Sequence, residues 1–242
     1  MTTQRFSLAP VDVSWKECLD KGLTALDPHY VQTLQQSDHW LPGSKAIFNA
    51  FSLPLNKVNY ILFGESPYPR QASANGYAFW DAAVKELWSP QGLSKAVNRA
   101  TSLRNFIKML LIAEGLVDAR HCTQETIAKL DKSDLIQTND TLFKRLLQDG
   151  FLLLNATLVL QAGPPVKDAR AWKPFMQELL TCLFSHRPHV KVILFGRIAA
   201  AIDTLLKDLK IDKFYAEHPY NISFITNQKV LNFFRPFHLL RA

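Results

Sequence analysis

Val58-Asn59-Tyr60-Ile61-Leu62-Phe63 is the stretch that most constrains what this chain can fold into. It is a short run dominated by β-branched and aromatic residues, and it stops at Gly64. Apolar residues in succession, rather than in alternation, describe a strand buried on both faces, as in a parallel sheet with helices above and below. The next residues, Glu65-Ser66-Pro67-Tyr68-Pro69-Arg70, are a turn rich in proline and polar groups, and Gly76-Tyr77-Ala78-Phe79-Trp80 closes the stretch. An open α/β sheet meets its ligands outside the carboxyl ends of its strands. Glu65, Ser66, Tyr68 and Arg70 therefore stand where a ligand would approach. Taken alone, the same turn also reads as a stiff connector and nothing more.

The pattern repeats. Phe151 to Leu154 is a second buried strand with Asn155 at its carboxyl end, Val190 to Phe195 a third stopped by Gly196, and Lys213 to Ala216 a short fourth followed by Glu217-His218-Pro219. Helical spacing of apolar residues fills the intervals: Ser102 to Gly115 with Ser102 as cap, Thr138 to Gln148, Trp172 to Phe184, and Ile198 to Leu209. Upstream, Ser14 and Glu17 have capping-box spacing, and the Phe-rich tail is expected to pack as a last helix. Strands alternating with helices, without repeats or a linker, predict one domain over residues 1–242. The expected fold class is α/β, a single-domain three-layer α/β/α sandwich around a mainly parallel four-stranded sheet, with residues 1–10 a loose arm.

Composition narrows the partners. The net charge of +7 favours a polyanion. The 48% hydrophobic content is ordinary for a soluble protein. The N-terminus shows no signal-peptide pattern, and Phe151 to Leu160 is too short to span a bilayer, so no membrane partner is expected. Cys18, Cys122 and Cys182 are odd in number and far apart, which predicts reduced, buried thiols in a cytoplasmic protein and offers no metal-ligand spacing.

Four strand ends thus carry Gly64 to Tyr68, Asn155, Gly196 and His218, and are expected to face one crevice. Singly, Asn155 reads as a capping amide, His218 as a loop histidine, Gly196 as a tight turn and Phe79 as core. Together they supply a carboxylate, an amide, an imidazole and aromatics at equivalent strand ends.

At these residues the chain resembles the uracil-DNA glycosylases, whose first motif reads G-Q-D-P-Y-H-G and last H-P-S-P-L-S. Here they read Gly64-Glu65-Ser66-Pro67-Tyr68-Pro69-Arg70 and His218-Pro219-Tyr220-Asn221-Ile222-Ser223. Phe48-Asn49-Ala50-Phe51, Gly76-Tyr77-Ala78-Phe79, Ser102-Leu103-Arg104-Asn105, Leu152-Leu153-Leu154-Asn155 and Ile193-Leu194-Phe195-Gly196 match further motifs in the same order. The resemblance runs from about Ser14 to the end of the chain. It implies a DNA-repair enzyme, a monomer without cofactor or bound metal, that hydrolyses the N-glycosidic bond of deoxyuridine, or a related damaged base, flipped from single- or double-stranded DNA. Asn155 would read the uracil edge, Phe79 would stack on the base and Tyr68 would block a thymine methyl, with Gly64 beside them. His218 would stabilise the departing oxygen. Ile222 would enter the base stack, and Ser102, Gly196 and Ser223 would meet phosphates.

The departures are as informative. The catalytic aspartate of the first motif is Ser66 here, and Glu65 stands where the family has glutamine. An iron–sulfur branch of the superfamily places a glutamate directly after the motif glycine, but its cysteines are lacking here. Arg70 and Arg197 replace small or neutral residues and either add positive charge near the expected DNA path or occlude it, and Lys167 and Arg170 are further basic residues near the expected DNA-facing loops. Two readings follow: a glycosylase in which Glu65, or a water held by Ser66, does the work of the aspartate, and a glycosylase fold kept as a DNA-binding or protein-interaction module with reduced or lost catalysis. The survival of Tyr68, Phe79, Asn155 and His218 favours the enzyme.

Overall fold

The computed structural model describes residues 6–37 and 39–242 of the 242-residue chain. In chain order the elements are α1 (Lys16–Thr24), α2 (Pro28–Gln35), β1 (Tyr60–Gly64), β2 (Trp88–Ser89), β3 (Gly92–Leu93), α3 (Lys95–Arg99), α4 (Thr101–Ala113), α5 (Gln124–Ala128), α6 (Asn139–Gln148), β4 (Phe151–Asn155), α7 (Pro165–His186), β5 (Lys191–Phe195), α8 (Ile198–Leu205), β6 (Lys213–Ala216) and α9 (Gln228–Phe234). They form a four-stranded sheet in the order β4-β1-β5-β6, flanked by helices, and a small β2–β3 hairpin. β1 runs parallel to both β4 and β5. The predicted α/β class and mainly parallel four-stranded sheet are what the structure has. Among the described residues no helix is long and apolar enough to cross a membrane.

Two compact units can be distinguished by their internal packing. The first comprises the described residues up to Asp81 together with Gly150–Phe214. β1 lies at its centre, and Ile61, Leu62 and Phe63 are all buried. This explains the unbroken apolar run, since alternate side chains go to opposite faces and both faces are covered. Ile61, Phe63, Leu152, Leu154, Val192 and Leu194 join one core with Trp15, Leu19, Phe48, Phe51, Phe175 and Leu179. A fully buried phenylalanine such as Phe63 or Phe175 is worth about 3–5 kcal/mol against alanine. α1 packs on α7 so closely that a methyl group at Gly22 would meet the Phe175 ring at 2.8 Å.

That packing overturns one expectation. Cys18 of α1 and Cys182 of α7 form a disulfide across a sequence separation of 164 residues, and only Cys122 remains free. The pairing depends on two helices meeting face to face, which spacing along the chain does not reveal.

The second unit comprises Ala82–Asp149 and Tyr215–Ala242. Its centre is α4, whose inner face buries Leu103, Phe106, Ile107, Leu110 and Leu111. The Phe106 ring meets Phe234 of α9 edge-on at 5.3 Å.

The local signals misled at three helix starts. Asp12, not Ser14, caps the first turn: its carboxylate accepts from the Ser14 N–H, and the Ser14 hydroxyl is spent on Asp12 and the Leu55 N–H. Ser102 lies inside α4, whose cap is Ala100 with no side-chain bond. α7 starts at Pro165 rather than Trp172, because proline is tolerated in the first turn, where its missing N–H has no partner to lose. Of the stretch read as a loose arm, residues 1–5 lie outside the described residues. Phe6 is buried, with its ring against Trp40 and Phe48.

Candidate active site at the carboxyl edge of the sheet

The register of β1 on β4 places Gly64 directly beside Asn155. Pairing continues past the strands, with the Ala156 N–H donating to the Gly64 carbonyl at 2.9 Å and the Thr157 N–H to the Glu65 carbonyl at 3.1 Å. Asn155 is 3% exposed, and its amide makes no hydrogen bond within the described residues. Its donors and acceptor are therefore left to water or to a ligand. Gly64 makes room for it: a methyl group there would overlap Asn155 Oδ1 and press on Ala78 Cβ at 2.9 Å.

The loop between Gly64 and Asp81 is fastened at several points. The Ala78 N–H donates to the Leu153 carbonyl of β4 at 3.0 Å. The Tyr68 hydroxyl donates to the Phe79 carbonyl at 3.1 Å. Phe79 has φ of 63°, a left-handed conformation uncommon for a bulky side chain and typical of residues held in place at functional sites. Its ring packs edge-on against Phe195 of β5, 6.1 Å between centroids. Burial, with the nearby Asp81 carboxylate adding to it, pushes the Tyr68 phenol well above its ordinary range, so the hydroxyl stays a donor. Asp81 is itself buried and pairs with Arg70, Nη2 to Oδ2 3.3 Å, while the Arg70 side chain remains 69% exposed.

Of the residues expected here, the first unit brings together Gly64, Tyr68, Arg70, Phe79 and Asn155. Glu65 is exposed and Ser66 half-buried, immediately after β1. Gly196 follows β5, the strand beside β1, and uses a φ of 72° that favours glycine. Arg197 is exposed at the start of α8.

The second unit holds His218, Ser102, Ile222 and Ser223. The Tyr220 N–H donates to His218 Nδ1 at 3.1 Å, which leaves the proton of the neutral imidazole on Nε2. Asn105, buried in α4, donates through Nδ2 to the Pro219 carbonyl at 2.7 Å. The histidine loop is therefore pinned to α4, against which the turn at Ile222–Thr226 also packs. Tyr220 and Ile222 are about two-thirds exposed. Ser223 is exposed and Ser102 half-buried.

No protein-family model matches the chain. A uracil-DNA glycosylase of Acinetobacter baylyi is 28% identical over 202 residues, covering 81% of this chain and 72% of that protein. One of Chlamydia abortus is 27% identical over 207 residues, covering 83% and 76%. A crystal structure of wild-type UNG from Nitratifractor salsuginis is 41% identical, with a TM-score of 0.90, and matches 97% of this chain and 94% of its own. The chain belongs to the uracil-DNA glycosylase superfamily. At 17% identity and a TM-score of 0.59, the mimivirus uracil-DNA glycosylase shares the superfamily fold, covering 89% of this chain and 72% of its own.

Two residues of this superfamily member escaped the sequence reading. Asn105 was visible as the last letter of a motif, but nothing in an apolar helix announces that its amide serves the histidine loop. Asp81 carried no signal at all, because its partners, Arg70 and the surroundings of Tyr68, are reached only through the loop fold. Among the described residues, three side chains that offer a metal neighbouring donor atoms are Cys18, Cys182 and His186, on α1 and α7 rather than at this edge.

Proposed function

We propose that this chain excises uracil from DNA by hydrolysing the N-glycosidic bond of a deoxyuridine flipped out of the helix. The observation that carries the reading is Asn155: a buried amide without an intramolecular partner, set against the one residue, Gly64, that leaves it room. An amide presents a donor and an acceptor together, which suits the uracil edge and leaves cytosine, with donor and acceptor exchanged, poorly paired.

The remaining roles follow from chemistry. Phe79 stacks on the base. Tyr68, fixed by its bond to the Phe79 carbonyl, fills the space that a thymine methyl would need, a steric exclusion where burial of one methyl discriminates only weakly. His218 donates from Nε2 to the oxygen on which negative charge develops as uracil leaves, a role suited to a ring whose Nδ1 already accepts from Tyr220. Ile222, exposed beside Tyr220, wedges into the base stack. Arg70, Arg197, Ser102, Gly196 and Ser223 contribute phosphate contacts. Glu65, or a water held by Ser66, supplies the negative field that other members obtain from an aspartate. The protein acts as a monomer. A fold kept only for binding DNA has no use for an unpaired amide at a strand end.

The test is direct. Purified protein is incubated with uracil-containing single- and double-stranded oligonucleotides, then alkali cleaves any abasic sites. Strand breaks at uracil, and none at thymine or cytosine, are expected. Binding to the same oligonucleotides without cleavage would replace this reading with that of a binding module.

A further inference from the structure

We infer that Cys18, Cys182 and His186 form a zinc site that becomes available when the Cys18–Cys182 disulfide is reduced, with Glu17 orienting the imidazole. Cys182 and His186 are four residues apart on α7 and so share one face of that helix. Cys18 comes from α1, which packs against α7 so closely that Gly22 has no room for a methyl group beside Phe175. The two sulfurs and an imidazole nitrogen all lie within 4.8 Å of one another. Ligands around one tetrahedral zinc, with Zn–S of about 2.3 Å and Zn–N of about 2.0 Å, stand about 3.5 Å apart, so small side-chain rotations suffice. Two thiolates and an imidazole are the donor set that suits zinc.

A plain disulfide has no use for the histidine. Its geometry fits a ligand's. Glu17 Oε2 lies 3.1 Å from His186 Nε2, which leaves Nδ1 for a metal, and a carboxylate on the far nitrogen is the arrangement that fixes a ligand imidazole. Both cysteines are buried, whereas the His186 side chain is 45% exposed, so an ion enters from the solvent side and water fills the fourth position. The site sits at the amino end of the sheet: Arg187, next to His186, donates to the carbonyls of Asn56 and Val58 just before β1. Asn155 and Gly64 lie at the other end of the strands. The metal would therefore brace α1 on α7 and take no part in base excision.

The chemistry balances. A thiol reductant gives two electrons and two protons to the Cys18–Cys182 bond and leaves as its own disulfide, yielding two thiols. Zinc then displaces both thiol protons to solvent as it binds the thiolates. Disulfide and zinc exclude each other, so one pair of cysteines holds the helices together in either state.

The test uses the full chain, reduced and then freed of reductant, titrated with zinc against a chromophoric chelator. One equivalent should bind to the reduced protein and none to the oxidised protein. Cobalt in place of zinc should give a thiolate-to-metal charge-transfer band. Cys122→Ser should change nothing. Glu17→Gln should weaken zinc about ten- to a hundredfold, and His186→Ala, a change at an exposed residue, by more. The inference is overturned if reduced wild type binds zinc no better than the oxidised protein, or if the cobalt spectrum, which requires no variant, lacks the sulfur band.

Discussion

Tyr68 donates its hydroxyl to the carbonyl of Phe79, 3.1 Å away and eleven residues later in the chain. The bond ties the ring that would exclude a methyl to the ring that would stack on the base, and holds Phe79 in its left-handed backbone conformation. Tyr68→Phe removes the hydroxyl but not the ring. The expected cost is about 1 kcal/mol, a Tm lower by about 2–4 °C, with thymine still rejected. Tyr68→Ala removes both, and thymine excision should appear. Excision of thymine by Tyr68→Phe, measured on matched oligonucleotides, would show that the bond rather than the bulk sets selectivity.

Gly64 is needed for space rather than for its backbone freedom. A methyl group there overlaps Asn155 Oδ1, so Gly64→Ala must displace the amide or the Ala78 backbone. Overpacking of this kind costs about 1–3 kcal/mol, which the fold can absorb. Misplacing a recognition group by about 1 Å costs about a hundredfold in rate. Gly64→Ala should therefore remain folded by circular dichroism and lose about a hundredfold in excision. Full activity would mean that Asn155 does not contact the base.

Asn105 is a positioning residue. Its Nδ2 donates to the Pro219 carbonyl at 2.7 Å, beside the histidine whose Nδ1 accepts from Tyr220. Asn105→Ala leaves that carbonyl without its partner at a cost of about 1–3 kcal/mol and loosens the His218 loop. The expected kinetic signature is a fall in kcat with KM little changed, together with altered imidazole signals of His218 in NMR. An unchanged His218 spectrum would reduce Asn105 to a packing role.

What was legible in the chain follows from what each feature depends on. β1 and β4 were readable because a strand buried on both faces leaves an uninterrupted apolar run, and Gly64 and Asn155 were readable as their ends. The Tyr68–Phe79 bond was not, since it depends on how a loop doubles back. Nor was the disulfide, which depends on α1 meeting α7. Ser14 and Ser102 looked like helix caps because only residue type shows in a sequence. In the fold, Asp12 outcompetes Ser14, and α4 begins before Ser102.

Glu114 gives a prediction on pH. Its side chain is 1% exposed, and burial holds its carboxyl above the ordinary glutamate range, partly offset by the Leu240 N–H, His238 and Arg241. The folded state therefore keeps a proton that the unfolded chain releases at about pH 4. Stability from that proton is present at low pH and lost as pH rises through the folded pKa. Glu114→Gln keeps an acceptor for Leu240 but cannot ionise. Its stability relative to wild type should rise as pH increases from about 4 to about 8, in urea melts of both proteins. Parallel curves would show that Glu114 ionises in the fold as it does unfolded.

Breaking the N-glycosidic bond leaves positive charge on the sugar, and a fixed negative charge in a closed cleft stabilises it most. Ser66 is half-buried at the end of β1 and carries no charge, while Glu65 next to it is exposed. An exposed carboxylate is screened by water, so Glu65 can replace an aspartate only if bound DNA excludes that water. Losing one such preorganised group costs about a hundred- to a thousandfold. Wild type should therefore be a slow glycosylase, and Ser66→Asp should raise its excision rate under single-turnover conditions. Glu65→Gln should abolish the residual rate if DNA closes over Glu65, while leaving DNA affinity nearly intact. If Glu65→Gln and Ser66→Asp both cleave at the wild-type rate, neither position carries the charge. If wild type and Ser66→Asp bind uracil-containing DNA and leave it whole, the pocket recognises the base without excising it.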